Sequence, residues 1–77
     1  MTRAEVVSLI RAELADCEPQ AAYDDRRVAA VFVVYGPTHP AYGLALVRVQ
    51  FYRASAAAWR QFARQLTDLL TEMGETP

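Results

Sequence analysis

Apolar positions in the first segment fall at helical spacing. Val6, Ile10 and Leu14 recur every four residues, with Val7 and Cys17 flanking the same stripe, which predicts an amphipathic helix. Thr2 and Glu5 stand at the S/T-x-x-E spacing of a capping box, so this helix is placed at about residues 2–17. Pro19 marks its end, because the residue before a proline is disfavoured in helix. Residues 18–27 show no clear period and read as a connection.

The pattern then changes. Residues 28–35 are a short run of valine, alanine and aromatic residues, apolar on both alternating faces. That chemistry predicts a strand at about 27–35, with cover required on both sides. Residues 36–43 contain Gly36, Pro37, Pro40 and Gly43 and read as a stiff loop. Beyond it, Ala45, Val47, Val49 and Phe51 alternate with Leu44, Leu46, Arg48, Gln50 and Tyr52, which predicts a second strand at about 44–53. Ser55 is placed as the N-cap of a last helix at about 55–73. Its apolar stripe is Trp59, Phe62, Ala63, Leu66, Leu69, Leu70 and Met73, and Gly74 stands where a C′ glycine belongs.

The expected fold class is therefore α+β, with element order α-β-β-α in a single domain over residues 1–77. An antiparallel β-hairpin flanked by two helices is too narrow to cover both helices and the second face of its own first strand. A homodimer whose hairpins join into a four-stranded sheet is the simplest repair, and a twofold is the commonest oligomer.

Composition narrows the class further. Over 77 residues, 53% are apolar and 22% charged, which is a folding composition. A single cysteine excludes an intrachain disulfide and a cysteine-based zinc site. No apolar run approaches the ~18 residues of a membrane span, and residues 1–5 contain no apolar signal core. A cytoplasmic protein with no membrane contact is the expectation.

Net charge is −1, but its distribution is uneven. Residues 1–25 carry six acids against Arg3 and Arg11. Residues 26–67 carry Arg26, Arg27, Arg48, Arg53, Arg60 and Arg64 and no acid, and the last ten residues hold three acids. Arg60 and Arg64 are one helical turn apart. Arg48, Gln50 and Tyr52 share a strand face that Arg53 closes. Guanidinium forks suit carboxylate or phosphate, and tyrosine can stack on bases. Internal pairing of these arginines with the N-terminal acids is the competing use.

Candidate chemistry is sparse. His39 has no serine or cysteine nucleophile near it in sequence, and the Asp24-Asp25 pair reads more readily as turn formers or partners for Arg26 and Arg27 than as a magnesium site. Cys17 reads as a small core residue. Neither GxGxxG nor GKS/T occurs. No catalytic, cofactor or metal residue is assigned. His39 and Tyr42 give the stiff loop a polar-aromatic tip suited to recognition. The expected function is a small non-catalytic interaction protein: a regulator, inhibitor or accessory subunit. It would dock on an acidic protein surface or complex through Arg48, Gln50, Tyr52, Arg53, Arg60, Arg64, His39 and Tyr42. The alternative is a nucleic-acid-binding protein using the Arg/Tyr face of the second strand and last helix.

Overall fold

A computed structural model describes residues 1–76. The chain folds as two long antiparallel helices joined by a short connection. Helix α1 spans Arg3–Val34 and helix α2 spans Tyr42–Glu72. The hairpin measures 56 × 18 × 15 Å, and its radius of gyration is 17.1 Å. A compact domain of this length would have about 11.5 Å, so the molecule is a rod.

The expected α+β class is overturned. Among the described residues there is no strand and no sheet, so the small α+β domain, the hairpin and the four-stranded sheet are all replaced by helix. The segments read as strands at 27–35 and 44–53 form the last turns of α1 with its C-cap Tyr35 and the first turns of α2. The helix placed at 2–17 runs on to Val34, straight through Pro19. The helix placed at 55–73 begins at Tyr42, not Ser55. The sheet-based argument for a homodimer falls with the sheet.

The physical reason lies in a heptad pattern that spans both helices. On α1, positions 7, 10, 14, 17, 21, 24, 28 and 31 are buried or half-buried, stepping alternately by three and four. On α2 the same alternation covers 45, 49, 52, 56, 59, 63, 66, 70 and 73. Such a 3.5-residue period keeps one seam facing the partner helix along its whole length. A strand over 44–53 would end that seam after half the hairpin. Residues 44–73 contain neither glycine nor proline, so nothing stops α2 once it starts.

The seam holds two clusters. Val7, Ile10, Cys17, Leu66 and Leu70 pack at the end bearing the chain termini, with Leu14, Trp59 and Met73 against them. Val31, Ala45, Val49 and Tyr52 pack near the connection, flanked by Val28 and Tyr35. Between the clusters the buried residues are small or polar: Ala21, Asp24 and Ala56. Asp24 is the one charged residue in the core, and its Oδ1 lies 4.0 Å from Nη1 of Arg27.

The ends are closed locally. The Thr2 hydroxyl accepts from the Glu5 N–H at 3.2 Å, as the capping-box spacing predicts. Gly74 adopts φ +77°, and the Glu75 N–H donates to the Leu70 carbonyl at 2.9 Å, closing α2 in a Schellman-type turn. Arg3 and Arg11 both reach Glu75, tying the tail to α1. Among the described residues, no helix is long and apolar enough to cross a membrane.

Candidate functional site

An antiparallel hairpin has two flanks beside its core seam, and the structure divides the arginines between them. On the first flank, Arg53, Arg60 and Arg64 follow Gln50 along α2 at steps of three, seven and four residues. Helical spacing places them in one row about 21 Å long. Arg60 crosses to α1, where its Nη2 donates to Oδ2 of Asp25 at 2.6 Å. Arg53 lies over the Phe32 ring at 6.0 Å. Among the described residues, neither Arg53 nor Arg64 has a carboxylate oxygen within 4.0 Å.

On the second flank Arg27 and Arg48 converge on one phenol. Nη2 of Arg27 donates to Oη of Tyr52 at 2.7 Å, and Nη2 of Arg48 donates to the same oxygen at 3.2 Å. The Arg27 guanidinium also sits 3.9 Å from the Tyr52 ring centre and 5.4 Å from that of Tyr23, within cation–π range. The hydrogen bond from Arg48, joined by that from Arg27, draws the Tyr52 phenol below its ordinary pKa, and the same bond raises that of Arg48. A shallow cleft lined by Arg27, Val34, Tyr35, Arg48 and Tyr52 opens here.

The residues expected to act as one surface are thus separated. Gln50, Arg53, Arg60 and Arg64 form the first flank, whereas Arg48 and Tyr52 belong to the second. Tyr52 is only 6% exposed, so its ring is not offered to solvent. The strand alternation had put Arg48, Gln50 and Tyr52 together; the helix turns them 100° per residue instead. His39 and Tyr42 lie at the connection, residues 35–41 and the start of α2. Nδ1 of His39 accepts the Ala41 N–H at 2.9 Å, and its ring meets Tyr35 edge-on at 4.9 Å. Both contacts hold the connection in one shape.

Asp24 and Asp25 diverge, one into the core beside Arg27 and the other out to Arg60. Among the described residues no three His, Cys, Asp or Glu side chains gather into a cation site. Cys17 is buried, its thiol donating to the Glu13 carbonyl at 3.3 Å. Burial pushes that thiol up, and the charges of Glu13 and Asp16 push it the same way.

Sequence reading missed Arg27 as the partner of Tyr52, and it missed an apolar surface. Leu9, Tyr23, Leu44, Phe51, Phe62 and Leu69 are exposed to between 36% and 72%. Counted from the heptad seam, all six fall on the flank of Arg27 and Arg48. Val34 joins them beside the connection, Val33 and Val47 lie opposite the seam, and Phe32 and Leu46, 37% and 39% exposed, fall on the arginine flank. The signal was present in the sequence: once 45, 49, 52 and 56 are taken as core, Leu44 and Phe51 are left outside it.

The Arg60–Asp25 pair gives a direct check of the first flank. The hydrogen bond from Arg60 holds the Asp25 carboxyl below the usual carboxylate range. Its stabilising effect is present above that usual range and lost as pH falls through the lowered folded value. In a carbon-detected NMR titration Asp25 should titrate below the usual carboxylate range, and Arg60→Ala should return it to that range. An Asp25 midpoint indifferent to Arg60→Ala would mean that the pair does not form.

Comparison of the chain with known protein families, with curated proteins and with solved structures finds no match in any of the three.

Proposed function

We propose that this chain is a small non-catalytic interaction protein of the cytoplasm: a regulator, inhibitor or accessory subunit. It docks on an acidic protein surface through the arginine row of α2. The observation that carries this reading is the row itself. Gln50, Arg53, Arg60 and Arg64 lie along one edge of α2, and two of the arginines are without a carboxylate among the described residues. Guanidinium groups presented this way match carboxylates spaced along a second helix. His39 and Tyr42 lie at the loop end of the hairpin, where a partner gripping Arg53 would also meet the connection. The buried ring of Tyr52 is why acidic protein is preferred here over nucleic acid, since the base-stacking group of that reading is withdrawn into the core.

The test is fluorescence anisotropy against two kinds of probe across a salt series. One is a labelled helical peptide with glutamates along one face; the other is short single- and double-stranded DNA and RNA. The peptide should bind at micromolar concentration, and Arg53→Ala with Arg64→Ala should weaken it about tenfold or more. If only the nucleic acids bind, with a salt slope that falls by about one per arginine removed, the nucleic-acid reading replaces this one. If neither probe binds at low salt, the row is not a docking surface.

A further inference from the structure

The flank opposite the arginine row bears most of the exposed apolar surface, and its composition identifies what covers it. We infer that two copies of this chain pack face to face through the flank of Leu9, Tyr23, Leu44, Phe51, Phe62 and Leu69. The product is a four-helix bundle with the two connections at opposite ends. The inference does not depend on the arginine row, which stays on the outside of the bundle.

Area is the first argument. The chain exposes 5398 Å². A compact monomer of its 8.6 kDa would expose about 4,700 Å². The excess, roughly 700 Å², is close to the ~800 Å² that one partner contributes to a standard stable interface. A two-helix rod can hide only one side of each helix, and a second hairpin is the smallest addition that hides another.

Pattern is the second argument. A twofold interface must be self-complementary. Take the axis across the middle of the hairpin, near residue 57 of α2. At 1.5 Å per residue, Phe51 lies about 9 Å to one side of it and Phe62 about 8 Å to the other. Leu44 and Leu69 lie about 20 and 18 Å out, again on opposite sides. A twofold that reverses the helix direction therefore sets Phe51 against Phe62 of the second copy, and Leu44 against its Leu69. The spacing along a single helix supplies both halves of each contact.

Charge is the third argument, and it chooses the arrangement. Two face-to-face twofolds are possible for a hairpin, with the connections at the same end or at opposite ends. On this flank Arg27 and Arg48 lie toward the connection, while Glu13, Asp16 and Glu72 lie toward the termini. With connections at the same end, four guanidinium groups would crowd together and the acids would face acids. With connections at opposite ends, Arg27 comes within about one helical turn, along the axis, of Glu13 of the second copy. Opposite charges then meet at both ends of the interface. Arg48 has no carboxylate within 4.0 Å among the described residues, so it brings to this flank a positive charge with no acid of its own.

Sedimentation equilibrium of the full chain at tens of micromolar tests the dimer, with far-UV circular dichroism reporting the helix content of each variant. Wild type should have twice the chain mass. Phe51→Glu should return a monomer that keeps its helices, because Phe51 is exposed and outside the hairpin core. A single-chain mass for wild type, a mass of three or more chains, or a Phe51→Glu variant that stays dimeric would overturn the proposal. If Phe51→Glu loses its helix, Ala58→Glu on the same flank is read in its place by the same criterion. Charge reversal tests the arrangement. Arg27→Glu should raise the dissociation constant at least tenfold, and adding Glu13→Arg should recover most of that loss. Tighter association of Arg27→Glu would mean that like charges had been relieved, which would put the connections at the same end and overturn this arrangement.

Discussion

Leu70→Ala is expected to cost about 2–5 kcal/mol of folding stability, the range for removing a fully buried leucine. Leu70 has no exposed surface, and it sits among Val7, Ile10, Cys17 and Leu66 where α2 returns to the start of α1. Its neighbours hang from two rigid helices, so the space it leaves cannot close by a small loop shift. A chain of this length has roughly 4–12 kcal/mol to lose, at about 0.05–0.15 kcal/mol per residue. One substitution therefore removes a large fraction of the total. Urea unfolding followed by circular dichroism, at matched protein concentration, measures it. A loss under about 1 kcal/mol, the size of a surface change, would show that the cluster at the termini is not packed as described.

Pro19→Ala is expected to move stability the other way. Pro19 lies inside α1, exposed to solvent, with more than a dozen helical residues on either side of it. Proline in a helix interior gives up one hydrogen bond and presses its ring on the preceding turn, about 3 kcal/mol worse than alanine. Alanine also frees the unfolded chain, which returns about 0.4–1 kcal/mol. The net gain is about 2 kcal/mol, or a rise in Tm on the order of 8–16 °C for a domain of this size. Differential scanning calorimetry at fixed concentration reads it directly. An unchanged or lower Tm would show that the seam depends on the local backbone shape that a proline sets at residue 19.

Pro19 is also where the sequence reading first departed from the fold. A proline after an amphipathic stretch ordinarily ends a helix, yet here the seam beyond it, Ala21, Asp24, Val28 and Val31, holds α1 together across the interruption. Packing outweighed local preference. The strand reading failed for a different reason. Ala45, Val47, Val49 and Phe51 satisfy a period of two, while Ala45, Val49, Tyr52 and Ala56 satisfy the heptad equally well. Short β-branched runs do not separate the two. The deciding feature was at residues 53–55, where a strand-to-helix change needs a turn and the chain offers Arg-Ala-Ser with no glycine or proline.

What the residues declared locally was legible: the Thr2–Glu5 cap, Cys17 in the core, the left-handed Gly74, and the amphipathic stripe of the second half of α2 except Phe62 and Leu69, which are exposed beside the seam and not in it. The arginine excess was legible as a charge map, and so was the use of acids from the first third as partners. Asp25 takes Arg60, and Asp24 lies beside Arg27. The division of the arginines into two flanks was not legible, because it follows from the helical period over 44–53, which had been read as alternation.

The separation of the core into two clusters has a consequence for the order in which the hairpin assembles. Val31 and Val49 are joined by a short stretch of chain, whereas Val7 and Leu70 are joined by nearly all of it. Closing the short loop costs less chain entropy, so contacts beside the connection form first and the helices zip toward the termini. In that order Leu66, Leu70 and Ile10, farthest from the connection, are expected to join the seam last. Damage to them shortens the lifetime of the native state by speeding unfolding, and leaves the rate of folding nearly as it was.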